Sequence, residues 1–220
     1  RERLLRDLDL FLDEDAALRS FERLRFRAAE HRFGFGGAPA VSVDLPGGQR
    51  VSFRGSIDRV DVAPDGGVRV YDYKSGRSGS YEEIARPKGD YVDHGKRLQL
   101  PIYALAAEEA FGTPGTSTQA SYWFIDEREA FKRIGPPLDE ARRERFAEAV
   151  GLIVDGIGGG VFPANPGTPR PEGFGNCTWC GYDRLCQGDR AKRWEQKQAA
   201  PEMAAYHALV GDGGDDDGDD

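Results

Sequence analysis

The sequence predicts an α/β fold in which a central β-sheet is flanked by helices, and three patterns carry that expectation. Residues 58–74 read as a β-hairpin, with Ala63-Pro64-Asp65-Gly66-Gly67 supplying turn residues between two runs rich in valine and other strand formers. Ahead of it, Leu4, Leu5, Leu8, Phe11 and Leu12 recur at helical spacing. After it, a helix-like segment from Lys96 to Ala110 leads into the β-branched and aromatic run Thr118 to Ile125. A chain of 220 residues, 39% hydrophobic and 31% charged, is ample for one such core and short for two.

Taken in order, Leu18, Phe21, Leu24 and Phe26 continue the first apolar series, so a helix or helix pair is expected to pack on the sheet. Glu30-His31-Arg32-Phe33, Val41-Ser42-Val43-Asp44-Leu45 and Val51-Ser52-Phe53 are separated by Gly and Pro turns and predict antiparallel strands, with His31 at the surface. Residues 77–97 read as a flexible loop bordering a groove and carry Arg86, Lys88, Lys96 and Arg97. In the helix that follows, Leu98, Ile102, Leu105 and Ala106 share a face, and Gln99 and Tyr103 stack one turn apart on a neighbouring one. Pro101 is compatible only with the first turn or a kink. Ala130 to Ile134 predicts a short strand, and Leu138 to Ile157 an amphipathic helix closed by Gly158-Gly159-Gly160. Residues 1–210 are expected to form a single domain that includes a cysteine-rich segment over 174–190, and 211–220, built only of Gly and Asp, a disordered acidic tail.

The hairpin places charge where a sheet has little reason to hold it. Side chains alternate along a strand, so Val68, Val70, Asp72 and Lys74 share one side, and on the partner strand Asp58 shares a side with Val60 and Val62. Closing the hairpin near residue 65 brings Asp58 close to Asp72 and Lys74. Two carboxylates, a backbone carbonyl and waters form the hard oxygen set that Mg²⁺ or Mn²⁺ prefers. A nearby lysine can then orient a nucleophile or stabilise charge on a phosphoryl group. The alternative for such a D-x-K triplet is a solvated ion pair at a strand end.

Gly55-Ser56-Ile57-Asp58-Arg59-Val60-Asp61, Tyr71-Asp72-Tyr73-Lys74-Ser75-Gly76 and Gln99-Leu100-Pro101-Ile102-Tyr103 together resemble the PD-(D/E)XK nuclease superfamily. The match is to its RecB-like branch, found in helicase–nuclease repair complexes and CRISPR adaptation exonucleases, and it runs from about Glu30 to Cys186. The resemblance implies a restriction-endonuclease-like core with a mixed sheet. It implies metal binding by Asp58, Asp72 and the Tyr73 carbonyl, a catalytic Lys74, and a Q-x-x-x-Y pair, Gln99 and Tyr103, that contacts the site and the DNA. Glu30 matches an acidic position of that branch and is a further candidate ligand. The branch's usual upstream histidine has no counterpart in residues 1–29.

Cys177, Cys180 and Cys186 make a C-x₂-C-x₅-C cluster with the spacing of a metal site, one ligand short of closing it. In the iron–sulfur subset of RecB-like nucleases such a triplet is joined by a cysteine far upstream to hold a [4Fe–4S] cluster, which implies a fourth ligand ahead of Arg1 and an N-terminally truncated chain. A zinc site and unliganded thiols are the alternatives.

Three cysteines in one short window do not make a disulfide framework, and no long apolar run or apolar signal core is present, so a cytoplasmic protein without a membrane span is expected. The formal charge of −8 is unusual for a nucleic-acid enzyme, yet six of those charges are the aspartates of the tail, Asp212, Asp215, Asp216, Asp217, Asp219 and Asp220. The expected function is metal-dependent DNA cleavage in repair or recombination, acting on single-stranded or end-containing DNA and coupled to a helicase domain or subunit. Two other classes remain open. One is a catalytically silent DNA-binding or scaffolding module, which the intact Asp58, Asp72 and Lys74 argue against. The other is a purely structural iron–sulfur or zinc domain, which leaves D-x-K and Q-x-x-x-Y unexplained.

Overall fold

The computed structural model describes residues 2–211 apart from 172, 179, 183, 184 and 187. Packing separates two compact units, one ending at Glu148 and one beginning at Ala149. The acidic tail expected over 211–220 lies, beyond Gly211, outside the described residues.

The first unit opens with α1 (Glu2–Phe21), followed by β1 (Arg25–Phe33), β2 (Val41–Asp44), β3 (Arg50–Phe53), β4 (Gly55–Val62) and β5 (Val68–Lys74). A 3₁₀ turn at Gly79–Ala85 precedes α2 (Gln99–Phe111), β6 (Thr118–Phe124) and β7 (Arg133–Ile134). The main sheet has five strands in the order β1-β4-β5-β6-β7, while β2 and β3 form a separate antiparallel pair. All neighbours in the main sheet are antiparallel except β5 and β6, which run parallel and are joined through α2, so the sheet is mixed. That parallel pair needs a long crossover, and α2 supplies it while covering one face of β5 and β6.

Each sheet face has its own cover. On one, Val60, Val68 and Val70 are fully buried, and Leu100, Ala104 and Ala107 of α2 are buried with them. The alanines let the helix axis approach the sheet closely. The buried stripe of α2 is therefore 100, 104 and 107; Leu98, Ile102 and Leu105, expected on that face, are half-buried at its flanks, and of the expected set only Ala106 is buried. Pro101 sits in the first turn, where its missing N–H costs nothing. His31, expected at the surface, is half-buried because its ring meets Phe111 at the end of α2 edge-on, 4.7 Å between centres.

On the other face Phe11, Leu18 and Leu24 pack with Tyr71 and Trp123, each large apolar side chain stabilising the fold by roughly 2 kcal/mol through its burial. The periodicity found α1 but not the side it buries. Leu4, Leu5, Leu8 and Leu12 are exposed, as are Phe21 and Phe26, and the inward stripe is Asp7, Phe11, Asp15 and Leu18. A charged group in the sheet accounts for Asp15: the buried Arg59 on β4 lies 2.6 Å from it.

The second unit contains most of α3 (Glu140–Gly158), the two-residue strands β8 (Pro169–Arg170) and β9 (Gly173–Phe174), α4 (Arg190–Lys197) and α5 (Ala204–Val210). Trp194 meets Tyr206 edge-on at 5.8 Å, and the Tyr206 hydroxyl accepts from Asn165 at 3.0 Å. Among the described residues no helix is long and apolar enough to cross a membrane.

Candidate active site

The site begins where β4 and β5 part. Their ladder pairs Val62 with Val68, Asp61 with Arg69, Val60 with Val70 and Arg59 with Tyr71, and then stops. The next backbone donor, Tyr73 N–H, goes to the Asp58 side chain, 2.9 Å from Oδ2. A buried N–H must find an acceptor, and here a carboxylate takes the place of the missing strand partner. Asp58 is thereby fixed against β5, and the parted strands leave room beside it.

Asp72, 4% exposed, and Lys74 project from the same side of β5. Lys74 Nζ lies 2.6 Å from Asp72 Oδ2, donates to Gln99 Oε1 at 3.3 Å and stands 5.0 Å from the ring centre of Tyr122 on β6. Gln99 in turn donates to the Tyr103 hydroxyl at 3.1 Å. Four sequence-predicted residues, Asp72, Lys74, Gln99 and Tyr103, thus form one continuous polar chain, with Asp58 beside it. The Asp72–Lys74 pair is charge-neutral, and Lys74 leaves a second lone pair on buried Oδ2 without a donor. Burial raises the Asp72 pKa above the ordinary carboxylate range; Lys74 opposes that rise and the Asp58 charge adds to it. Burial also raises the Tyr103 pKa, against its hydrogen bond to Gln99 and with the charges of Asp72 and Asp58. A glycine makes the tyrosine's seat: a Cβ on Gly55 would stand 2.9 Å from the Phe33 ring and 3.5 Å from that of Tyr103.

Glu30 lies on β1 with φ +48°, a backbone conformation that costs a non-glycine residue energy. It accepts a long hydrogen bond from Ser56 at 3.4 Å and, with Asp58, Tyr73 and Arg59, lines a cavity of about 370 Å³. Among the described residues no group of three or more His, Cys, Asp or Glu is gathered as an ion cage. The donors present, Asp58, the under-donated Asp72 Oδ2 and backbone carbonyls, nonetheless fit Mg²⁺, which binds through one or two carboxylates and keeps several waters.

Residues 77–97 are held rather than loose. Asp90 forms a bidentate pair with Arg145 at 3.0 and 2.7 Å and accepts from the Val92 and His94 amides, and Tyr91 and Val92 are buried. Arg97 stacks 3.8 Å from the Tyr81 ring centre and pairs with Asp93, and Arg86 pairs with Glu83. Lys88 and Lys96 are exposed.

Sequence reasoning missed the buried triad behind the site. Arg59 donates twice to Asp61, at 2.9 and 2.5 Å, and once to Asp15, at 2.6 Å, and reaches the Tyr73 hydroxyl at 3.4 Å. Burial works against its charge, and these hydrogen bonds outweigh that and hold its pKa above the usual value. The available signal was an Arg and an Asp two apart on one strand face.

Cys177 is half-buried and Cys180 and Cys186 are exposed, all as free thiols. The Cys180 amide donates to the Cys177 carbonyl at 3.1 Å, which puts those two on one turn.

The family model described as the PD-(D/E)XK nuclease superfamily matches residues 1–187. Three curated relatives are each named as a subunit of ATP-dependent helicase/deoxyribonuclease. The one from Symbiobacterium thermophilum is 40% identical over 140 residues, 58% of this chain and 11% of the relative. That from Clostridium kluyveri is 38% identical over 105 residues, 45% and 8% of the two chains, and that from Moorella thermoacetica 36% over 158 residues, 66% and 13%. The chain spans about a tenth of the length of the curated relatives it matches.

Proposed function

The chain belongs to the PD-(D/E)XK nuclease superfamily, and on that premise we propose that it hydrolyses DNA phosphodiester bonds with a divalent cation. The observation that carries the reading is the polar chain Asp72–Lys74–Gln99–Tyr103 beside Asp58. Asp58, Asp72 and the Tyr73 carbonyl, with Glu30 at the cavity, would hold Mg²⁺ or Mn²⁺, which supplies an acidified water and offsets charge on the phosphoryl group. Lys74 positions that water or stabilises the developing charge, and its ammonium is aimed by Gln99 and the Tyr122 ring. Gln99 and Tyr103 align the scissile strand.

The names of the relatives, helicase/deoxyribonuclease, support a DNA substrate and a helicase domain or subunit alongside; the reading as a cytoplasmic exonuclease on single-stranded or end-containing DNA, in repair or recombination, follows the family resemblance. The family match covers the first compact unit and extends to residue 187 of the second, which supports reading those residues as one nuclease domain; its extension to residue 210 is part of the proposal. Exposed Lys88 and Lys96, with Arg86 and Arg97, are further candidates for the DNA backbone. Cys177, Cys180 and Cys186 are read as three ligands of a [4Fe–4S] cluster whose fourth comes from elsewhere in the full-length protein; their spacing supports this, although the described residues do not gather them.

Asp72→Ala and Lys74→Ala are expected to lower Mn²⁺-dependent degradation of single-stranded DNA by at least about 100-fold. The assay is release of acid-soluble nucleotides by full-length protein. Wild-type rates in either variant reject the assignment.

A further inference from the structure

Two arginines meet over one aromatic ring at the end of the sheet that carries the site. Arg32 and Arg54 have their guanidinium carbons 5.5 and 5.1 Å from the ring centre of Phe35. Both arginines are exposed, and so is the ring, at 38%. Among the described residues neither arginine has a carboxylate partner, whereas Arg59, Arg69, Arg97, Arg143 and Arg145 each have one. Each cation gains from the ring, but bringing two like charges together without an anion leaves a local positive potential that an incoming phosphate would satisfy.

The placement is built by the fold. Arg32 and Arg54 immediately precede Phe33 and Gly55, the last pair of the β1–β4 ladder. Gly34 (φ +72°) passes so close to Arg54 that a Cβ there would lie 2.5 Å from the Arg54 Cβ, which pins the start of the Phe35 loop against that arginine. Beyond the ring, Gly36 and Gly37, at φ +60° and +90°, have open space around them. Phe33 meets Tyr103 edge-on at 6.2 Å, and Tyr103 leads through Gln99 to Lys74. Arg32 and Arg54 are the sequence neighbours of Phe33 and Gly55, and by alternation their side chains leave the opposite side of the same sheet end. Guanidiniums and an aromatic face side by side are the means by which single strands are held without regard to sequence, the cations taking phosphates and the π-faces taking bases.

We propose that Arg32, Phe35 and Arg54 form a contact for single-stranded DNA at the end of the sheet that carries Lys74. The proposal rests on the nuclease reading for its choice of ligand, and it assigns that ligand to residues outside the metal and lysine chemistry.

The test is fluorescence anisotropy of labelled oligo-dT with full-length protein in EDTA, where nothing is cleaved, repeated across a salt series. Arg32→Gln/Arg54→Gln should weaken binding roughly tenfold or more and lower the slope of log K against log salt by about 1.4, the value for two lost phosphate contacts on a single strand. Phe35→Leu should weaken binding while leaving the slope unchanged, since it removes the ring and no charge. Equal melting temperatures establish that the variants are folded, and Arg32→Lys/Arg54→Lys, which keeps the charge, should restore the slope. Wild-type affinity and slope in the Gln double variant overturn the contact, and if the wild type also cleaves when Mn²⁺ is added, the nuclease reading stands without it. Salt-dependent binding that the Gln variant weakens, in a protein that never cleaves, leaves the contact standing and removes the nuclease reading.

Discussion

At the scale of single residues, the protonation of Asp72 is decided by burial against Lys74. Burial wins, so the folded carboxyl holds its proton more tightly than the unfolded one. Its ionised form therefore costs stability, a cost absent well below the ordinary carboxylate pKa of about 3.9 and growing as pH rises through the higher folded value. Asp72→Asn removes that cost. In metal-free protein it is expected to melt no lower than wild type at neutral pH, with any advantage shrinking on acidification, and Mg²⁺ should then raise the melting temperature of wild type alone. Thermal melts across pH in EDTA and in Mg²⁺ check this, and a lower melting temperature at every pH would show that the ion pair outweighs the burial. Asp72, Lys74, Gln99 and Tyr103 were legible because strand alternation and the helical turn fix which neighbours share a side. The role of Asp58 toward the Tyr73 amide was not, since it depends on where a ladder stops.

At the scale of elements, β4 is a strand with two occupations. One side, through Asp58, faces the chemistry, and the other holds Arg59 and Asp61 in a buried network with Asp15 of α1. Taking one partner from such a network leaves charges without compensation, which costs about 3–5 kcal/mol. Arg59→Met is expected to lose that much stability in urea titration, and Arg59→Met/Asp61→Leu to regain part of it. A loss under about 1 kcal/mol for Arg59→Met would mean that water compensates the carboxylates. The same network explains why α1 was legible as a helix and illegible as a surface. Leucines mark an apolar stripe by composition, but the partner face contains a guanidinium, and electrostatics draws in the side of the helix that carries Asp15. α2 was nearer to its expectation because its partner face is valine, and only the choice between flank and centre was open.

At the scale of the whole molecule, the order of the central elements followed from the hairpin, the helix after it and the next strand, and the mixed sheet from the family resemblance. The two-unit packing did not, because its boundary falls inside α3, where the sequence shows unbroken helical periodicity. The cysteines are tested at this scale too. Anaerobically purified full-length protein is expected to carry about four irons and to absorb broadly near ~400 nm, and Cys→Ser at 177, 180 or 186 to abolish both. Stoichiometric zinc without iron would assign a zinc site instead. The alternation of β4 has a last consequence, in the language of insertions and deletions. Its neighbours β1 and β5 are both registered to it, and a strand that slips by one residue exchanges its two sides. A single deletion in the Ala63–Gly67 turn would draw Asp58 into the buried place of Arg59 and Ile57 into that of Asp58, so exposed Pro64 and Asp65 tolerate a change of letter far better than the turn tolerates a change of length.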